Sequence, residues 1–235
     1  MTHRRTIAIF DLDNTLLEGD TDTLWGEFLY QKGVMDLAFV RQVRKFFRDH
    51  QNADMDIQAY AECLLSPLKI YPLREMEALR EEFLSQTPGR IRPAMMARVN
   101  WHRTKKHALL MITNSHGFIT EPIGQMLGFS SRICTQAEFK DGGYTGRLSG
   151  IPAYRDGKIL RLSAWLKEHH LSLEHSWAYS DSFTDLPLLS LVENPVAVTP
   201  DDQLRSHARA HNWRLMEFDP GSGPAGPMRM WIASA

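Results

Sequence analysis

Ile7-Ala8-Ile9-Phe10-Asp11-Leu12-Asp13-Asn14-Thr15 is the stretch on which the reading of the fold turns. Four apolar residues run without alternation into two aspartates one residue apart, and a turn residue breaks the run at Asn14. That is the pattern of a strand buried on both faces, as in parallel sheets. In an open parallel sheet the ligand crevice lies beyond the carboxyl ends of the strands, so Asp11 and Asp13 are delivered to where chemistry is usually done. From a still-extended tip the two carboxylates are expected to point in opposite directions and take different jobs. Asp11 can face a substrate as nucleophile, and Asp13 can reach the leaving-group oxygen. Acidic residues also end strands for purely local reasons, so the decision rests on residues further along the chain.

The 235-residue chain has room for one good core and a small second unit. Its 43% hydrophobic and 23% charged residues are those of an ordinary globular protein. A net charge of -1 gives no reason to expect nucleic acid or an anionic membrane as partner. The apolar run behind Arg4 and Arg5 is too short for a secretory leader, and no stretch approaches a membrane span. Cys63 and Cys134 lie far apart with no metal-like spacing, which reads as two reduced residues of a cytoplasmic protein. Oligomeric state is not legible.

Helix-period segments follow at residues 23–31, 37–50, 57–65, 73–86 and 94–104. They are punctuated by Gly33, a polar turn at 51–54, Pro67, Pro72, Pro88 and Pro93. From 107 the character changes. Residues 108–112 are a second apolar run with a polar tip, Thr113-Asn114-Ser115-His116-Gly117, before a helical pattern at 118–127. A short strand at 133–135 and a hairpin at 138–148 centred on Gly142 and Gly143 come next, then a helix to about His170. The strand at 177–179 ends in acid at Asp181, with Asp185 four residues on. A helix at 186–192, a strand at 196–198, a helix at 201–210 and an edge strand at 214–218 precede a tail, 221–227, too rich in Gly and Pro for regular structure. The alternation predicts an α/β fold, a doubly wound, mostly parallel sheet with an all-helical cap inserted after its first strand. The expected core is 1–17 with 106–235, and the expected cap 18–105.

Asp11, Asp13, Thr113, Lys158, Asp181 and Asp185 all fall at strand tips or helix starts. Phosphoryl transfer asks for such an inventory, because the migrating group spreads negative charge over three oxygens and needs donors and cations around it. Asp11, Asp13 and Asp181 offer hard oxygen ligands suited to Mg²⁺. Lys158 supplies a point charge. The Thr113 hydroxyl and the amides ahead of the 118–127 helix can hold phosphate oxygens.

These motifs, in this order and with the helical insert between the first and second, resemble the haloacid dehalogenase-like superfamily of phosphatases. Within it they are most similar to the phosphoserine phosphatase branch. The resemblance spans almost the whole chain and implies that Asp11 forms an aspartyl-phosphate. It implies that Asp13 protonates the departing alkoxide and then activates water. The implied Mg²⁺ ligands are Asp11, the Asp13 backbone carbonyl and Asp181. Asp185 would orient Lys158 or a metal-bound water, and Thr113 and the Asn114 amide, with Lys158, would bind phosphate. Ser180 stands where the family's last motif usually has Gly, and Thr113 where serine is common. Asp20 falls where phosphoserine-specific members carry a glutamate that receives the substrate's amino group. It is equally well placed as a helix N-terminal acid. His116, beside the phosphate loop, is the one histidine expected near substrate.

A phosphatase acting on a small phosphomonoester, a phosphorylated amino acid or amino alcohol such as phosphoserine or histidinol phosphate, is the expectation. A phosphotransferase would use the same residues. A non-catalytic phospho-ligand-binding module would have no use for an acid and base at Asp13.

Overall fold

The computed structural model describes residues 5–51, 56–218 and 223–231. The opening stretch forms β1 (Ile7–Phe10), buried along its length. Its side chains alternate between two cores. Ala8 and Phe10 enter one with Met111, Tyr179 and Val196, while Ile7 and Ile9 enter the other with Leu110, Ala178 and Ala197. A strand with apolar company on both faces needs no polar alternation, hence the unbroken run.

Four helices follow, α1 (Thr21–Gln31), α2 (Leu37–Gln51), α3 (Ile57–Ile70) and α4 (Leu73–Gln86), then α5 (Pro93–Thr104). Next come β2 (Ala108–His116), α6 (Gly117–Met126), β3 (Ser131–Lys140), β4 (Gly143–Ser149) and α7 (Asp156–Glu168). The last elements are β5 (Trp177–Ser180), α8 (Leu186–Leu189), β6 (Asn194–Val198), α9 (Asp202–Ala210), β7 (Arg214–Phe218) and β8 (Met228–Trp231). They build one eight-stranded sheet in the order β4-β3-β2-β1-β5-β6-β7-β8. Pairing is parallel from β3 to β7 and antiparallel at the two edges. With helices on both faces, this is the doubly wound α/β arrangement expected. Among the described residues no helix is long and apolar enough to cross a membrane.

Three features differ from the sequence reading. The 214–218 strand is not an edge, because β8 pairs antiparallel with it, Leu215 against Trp231 and Phe218 against Met228. Pro67 does not end α3, which continues to Ile70. A proline leaves the carbonyl four residues back without its donor, and here the Ser66 hydroxyl supplies one to Cys63 O at 2.7 Å. The helix at 186–192 closes early, at Leu189. Of the turn expected at 51–54, residues 52–54 lie outside the described residues, as do 221 and 222 of the tail.

The chain enters and leaves the inserted helices side by side. Leu17 bridges Ile91, Glu18 N–H donates to Arg90 O at 2.9 Å, and Arg92 N–H to Leu16 O at 2.9 Å. Beyond that neck α5 packs on the sheet, where His102 Nε2 lies 2.8 Å from the Tyr179 hydroxyl and its ring meets Phe10 edge-on. The last helix of the expected cap, 18–105, thus lies against the sheet. The core of the cap is aromatic, Trp25 against Phe28 and Phe83, and Phe118 of α6 reaches up to join it.

The turn into α7 sets the height of Lys158. Gly157 N–H donates to Tyr154 O at 2.8 Å, and a Cβ added at Gly157 would run into the carbonyl oxygen of Pro152. Backbone cannot yield as a flexible side chain can. Gly157→Ala is therefore expected to cost about 3 kcal/mol, seen as a melting temperature lower by roughly 6–12 °C for a chain of this size. A shift under about 2 °C would show that the turn is slack.

Candidate active site

β1 ends at Phe10 and the chain turns at once, with Asp13 at φ -69°, ψ 134° and Asn14 at φ 53°, ψ -5°. Asn tolerates that left-handed conformation better than most residues. Its Oδ1 accepts from Gly19 N–H at 3.2 Å, and its own N–H donates to Gly19 O at 3.1 Å. Asp11 and Asp13 do find different partners, but not for the reason expected. Residues two apart on an extended tip share a face, and it is the turn that separates them.

Asp11, 4% exposed, accepts from Lys158 Nζ at 2.9 Å through Oδ1. The same ammonium donates to Asp185 Oδ2 at 2.8 Å. Burial disfavours charge on Lys158, but the two carboxylates outweigh it and hold the ammonium above its ordinary pKa. Asp185 Oδ2 also accepts from the Ser180 hydroxyl at 2.7 Å. The residue that departs from the family's usual glycine thus anchors the acid that anchors the lysine.

Asp13 belongs to a different network. Its Oδ1 accepts from Thr21 N–H at 2.7 Å, and its Oδ2 from the Thr113 hydroxyl at 3.1 Å and the Ser115 hydroxyl at 2.7 Å. Thr113 is fully buried and also accepts from Ser115 N–H at 3.1 Å. The hydroxyl expected to hold a phosphate oxygen thus meets the Asp13 carboxylate here.

Both networks face one cleft of about 470 Å³ lined by Asp11, Asp13, Asn114, Lys158, Asp181 and Asp185, with Asp20 and Asp201 also at its wall. Six aspartates and one lysine make this a pocket short of positive charge. Burial raises the Asp11 carboxyl to about 8, against the pull of Lys158 and helped by Asp185 and Asp13. Burial, then Asp11 and Asp185, push Asp181 well above the usual carboxylate range. Hard, mutually repelling oxygens suit a divalent cation, which would return both groups to their charged form. Among the described residues no three His, Cys, Asp or Glu side chains are grouped to hold an ion by themselves. Asp13 lines the cleft as well, its carboxylate bonded to Thr21, Thr113 and Ser115.

Asp20 caps α1, accepting from Thr23 N–H at 2.7 Å, and it also lines the cleft. Burial and the charge of Asp13 raise it to about 7. His116, 3% exposed, is not among the cleft residues and instead lies 3.5 Å from Asp22 Oδ1 through Nε2. Burial lowers its pKa to about 3.

Sequence reasoning passed over Ser115 and Asp201. Thr113 and Ser115, two apart on β2, could have been read as hydroxyls sharing a face. Asp201 has a helix-cap signature ahead of α9. It accepts from Leu204 N–H at 2.8 Å and Phe183 N–H at 2.6 Å, and its N–H donates to Asp181 O at 2.8 Å. It thereby fixes the loop that carries Asp181.

The family model for haloacid dehalogenase-like hydrolases matches residues 8–190. The chain belongs to this family. A histidinol-phosphatase of Neisseria meningitidis serogroup C (strain 8013) is 39% identical over 220 residues, 91% of this chain and 99% of its own. A phosphoserine phosphatase, SerB1, of Mycobacterium tuberculosis (strain ATCC 25618 / H37Rv) is 30% identical over 216 residues, 90% of this chain and 70% of its own. The crystal structure of a protein of unknown function from Bordetella pertussis Tohama I superimposes with a TM-score of 0.83 at 33% identity, covering 90% of this chain and 98% of that one. The haloacid dehalogenase-like matches thus extend over the insert as well as the sheet.

Proposed function

We propose that this haloacid dehalogenase-like enzyme, a phosphoric monoester hydrolase, releases phosphate from a small amino-alcohol phosphate by way of an aspartyl-phosphate on Asp11. The observation that carries the reading is the division of labour at one cleft. Lys158 holds Asp11 and Asp185, while Asp13, two residues on, is held by three other donors. An oxygen of Asp11 attacks phosphorus and the bond to the leaving oxygen breaks as Asp13 gives that oxygen a proton. Asp13, now a carboxylate, takes a proton from water, whose oxygen attacks the same phosphorus, freeing phosphate and restoring Asp11. Asn114 and Lys158 bind the transferring group, and Thr113 and Ser115 steady Asp13. The carboxylates of Asp11 and Asp181, with the Asp13 backbone carbonyl, would hold Mg²⁺. When bound it supplies the positive charge that lets a phosphate approach Asp11.

On the cap side Asp20 offers a carboxylate to an ammonium, which supports a substrate such as histidinol phosphate or phosphoserine. The identity of 39% with a histidinol-phosphatase favours the former. A panel of amino-alcohol phosphates, sugar phosphates and nucleotides, followed by released phosphate, tests this. The amino-alcohol phosphates should lead in kcat/KM by about ten-fold or more, with activity lost in EDTA and restored by Mg²⁺. A lead for sugar phosphates would overturn the substrate class, and full activity in EDTA the metal. A cytoplasmic location, and water as acceptor in place of a second alcohol, belong to the same proposal. Product analysis with added alcohol checks the acceptor.

A further inference from the structure

Asp22 plays no part in the chemistry above, yet it is fully buried beside the segments that hold Asp13. Its Oδ2 accepts from the Tyr60 hydroxyl of α3. Its Oδ1 lies 3.4 Å from the His116 N–H and 3.5 Å from His116 Nε2. That ring contact is too long for a well-formed hydrogen bond, and both ring nitrogens lack a hydrogen-bond partner among the described residues. Burial, Asp20 and Asp13 push the Asp22 carboxyl well above its ordinary range, against the hydrogen bonds from Tyr60 and His116. An apolar residue would fill such a place at lower cost, so the acid needs a reason of its own.

The reason lies one residue back on each side. Asp13 is gripped from α1 by Thr21 N–H and from β2 by the Ser115 hydroxyl. Asp22 follows Thr21, and His116 follows Ser115. We infer that Asp22 is a positioning residue for the leaving-group acid, a tie between its two supports that the cap reaches through Tyr60. The inference rests on the reading of Asp13 as that acid. With the tie cut, Thr21 and Ser115 can drift apart and Asp13 no longer meets the departing oxygen. A misplacement of that kind acts on proton delivery, so it costs most where the leaving group most needs a proton.

Phenyl phosphate and p-nitrophenyl phosphate separate this from loss of folding, being similar in shape while phenolate is much the poorer leaving group. Asp22→Leu, of similar size and without polar atoms, cuts both arms and is expected to lower kcat/KM on phenyl phosphate by about 10–100-fold and on p-nitrophenyl phosphate by about threefold or less. Tyr60→Phe, which cuts the arm from the cap, should show the same selectivity at smaller size and serves if Asp22→Leu does not fold. Asp13→Asn is the reference. If it hits both substrates alike, the reading of Asp13 fails. If it is selective while the folded tie variants lose equally on both substrates, or lose nothing, the tie is overturned.

Discussion

Asp11→Asn is expected to reduce kcat by about 10⁴–10⁶-fold, the range seen when a nucleophile is removed from a working constellation. The amide has almost the shape of the carboxylate, and its oxygen can still accept from Lys158 Nζ, which now sits 2.9 Å from Oδ1. Lys158 also keeps Asp185, so the fold should survive and the loss should be chemical. The variant should melt within a few degrees of the parent and form no acid-stable, hydroxylamine-sensitive phosphoenzyme. Residual activity within about tenfold of the parent would move the nucleophile elsewhere.

Lys158→Met is expected to damage both stability and rate. The ammonium is 4% exposed and lies between two buried carboxylates. Removing one partner of such a cluster strands the others, at a cost of about 3–5 kcal/mol. It also deletes a charge aimed at the transferring group, for a further loss of roughly 10²–10³ in kcat. The stability deficit should depend on pH. The lysine's pull lowers the Asp11 carboxyl, which even so sits at about 8, and without that pull it rises further. Both chains therefore lose Asp11's share of stability in parallel as pH rises from the unfolded value of about 4, and above about 8 the parent stops losing it while the variant does not. Urea titrations should therefore show a steady deficit below about pH 8 that widens above it. A deficit independent of pH would mean that packing, not charge, was lost.

Much of the fold was open to a reader of the sequence because burial on both faces leaves a plain mark. Ile7–Phe10, the run at 108–112 and the alternation of strands and helices after 107 all carry it. β8 carries no such mark. Met228–Trp231 is four residues behind a Gly- and Pro-rich tail, and only pairing with β7 makes it a strand. Pro67 misled for a similar reason, since the local rule for proline says nothing of a serine next door able to serve the orphaned carbonyl.

The candidate site divides the same way. The acids at strand tips could be named in advance because their backbone position decides where they end up. Direction could not, since it is set by partners far off in the chain. Thr113 and Ser115 turn to Asp13, 100 and 102 residues away. Ser180, by contrast, is anchored by a neighbour five positions on, Asp185. Even there, the sequence alone did not say that its hydroxyl would be used.

The placing of β1 bears on how the molecule comes together. Its neighbours are β2, with Ile7 registered against Ala108, and β5, with Ala8 against Trp177. Closing loops of that size is entropically costly and slows assembly. The inserted helices, made of nearer contacts, can gather first, and the Leu17–Ile91 bridge draws the ends of that long excursion together. Asp11 meets the Lys158 ammonium only once α7, which carries it 147 residues further on, has docked, so the proposed site is among the last things the fold completes.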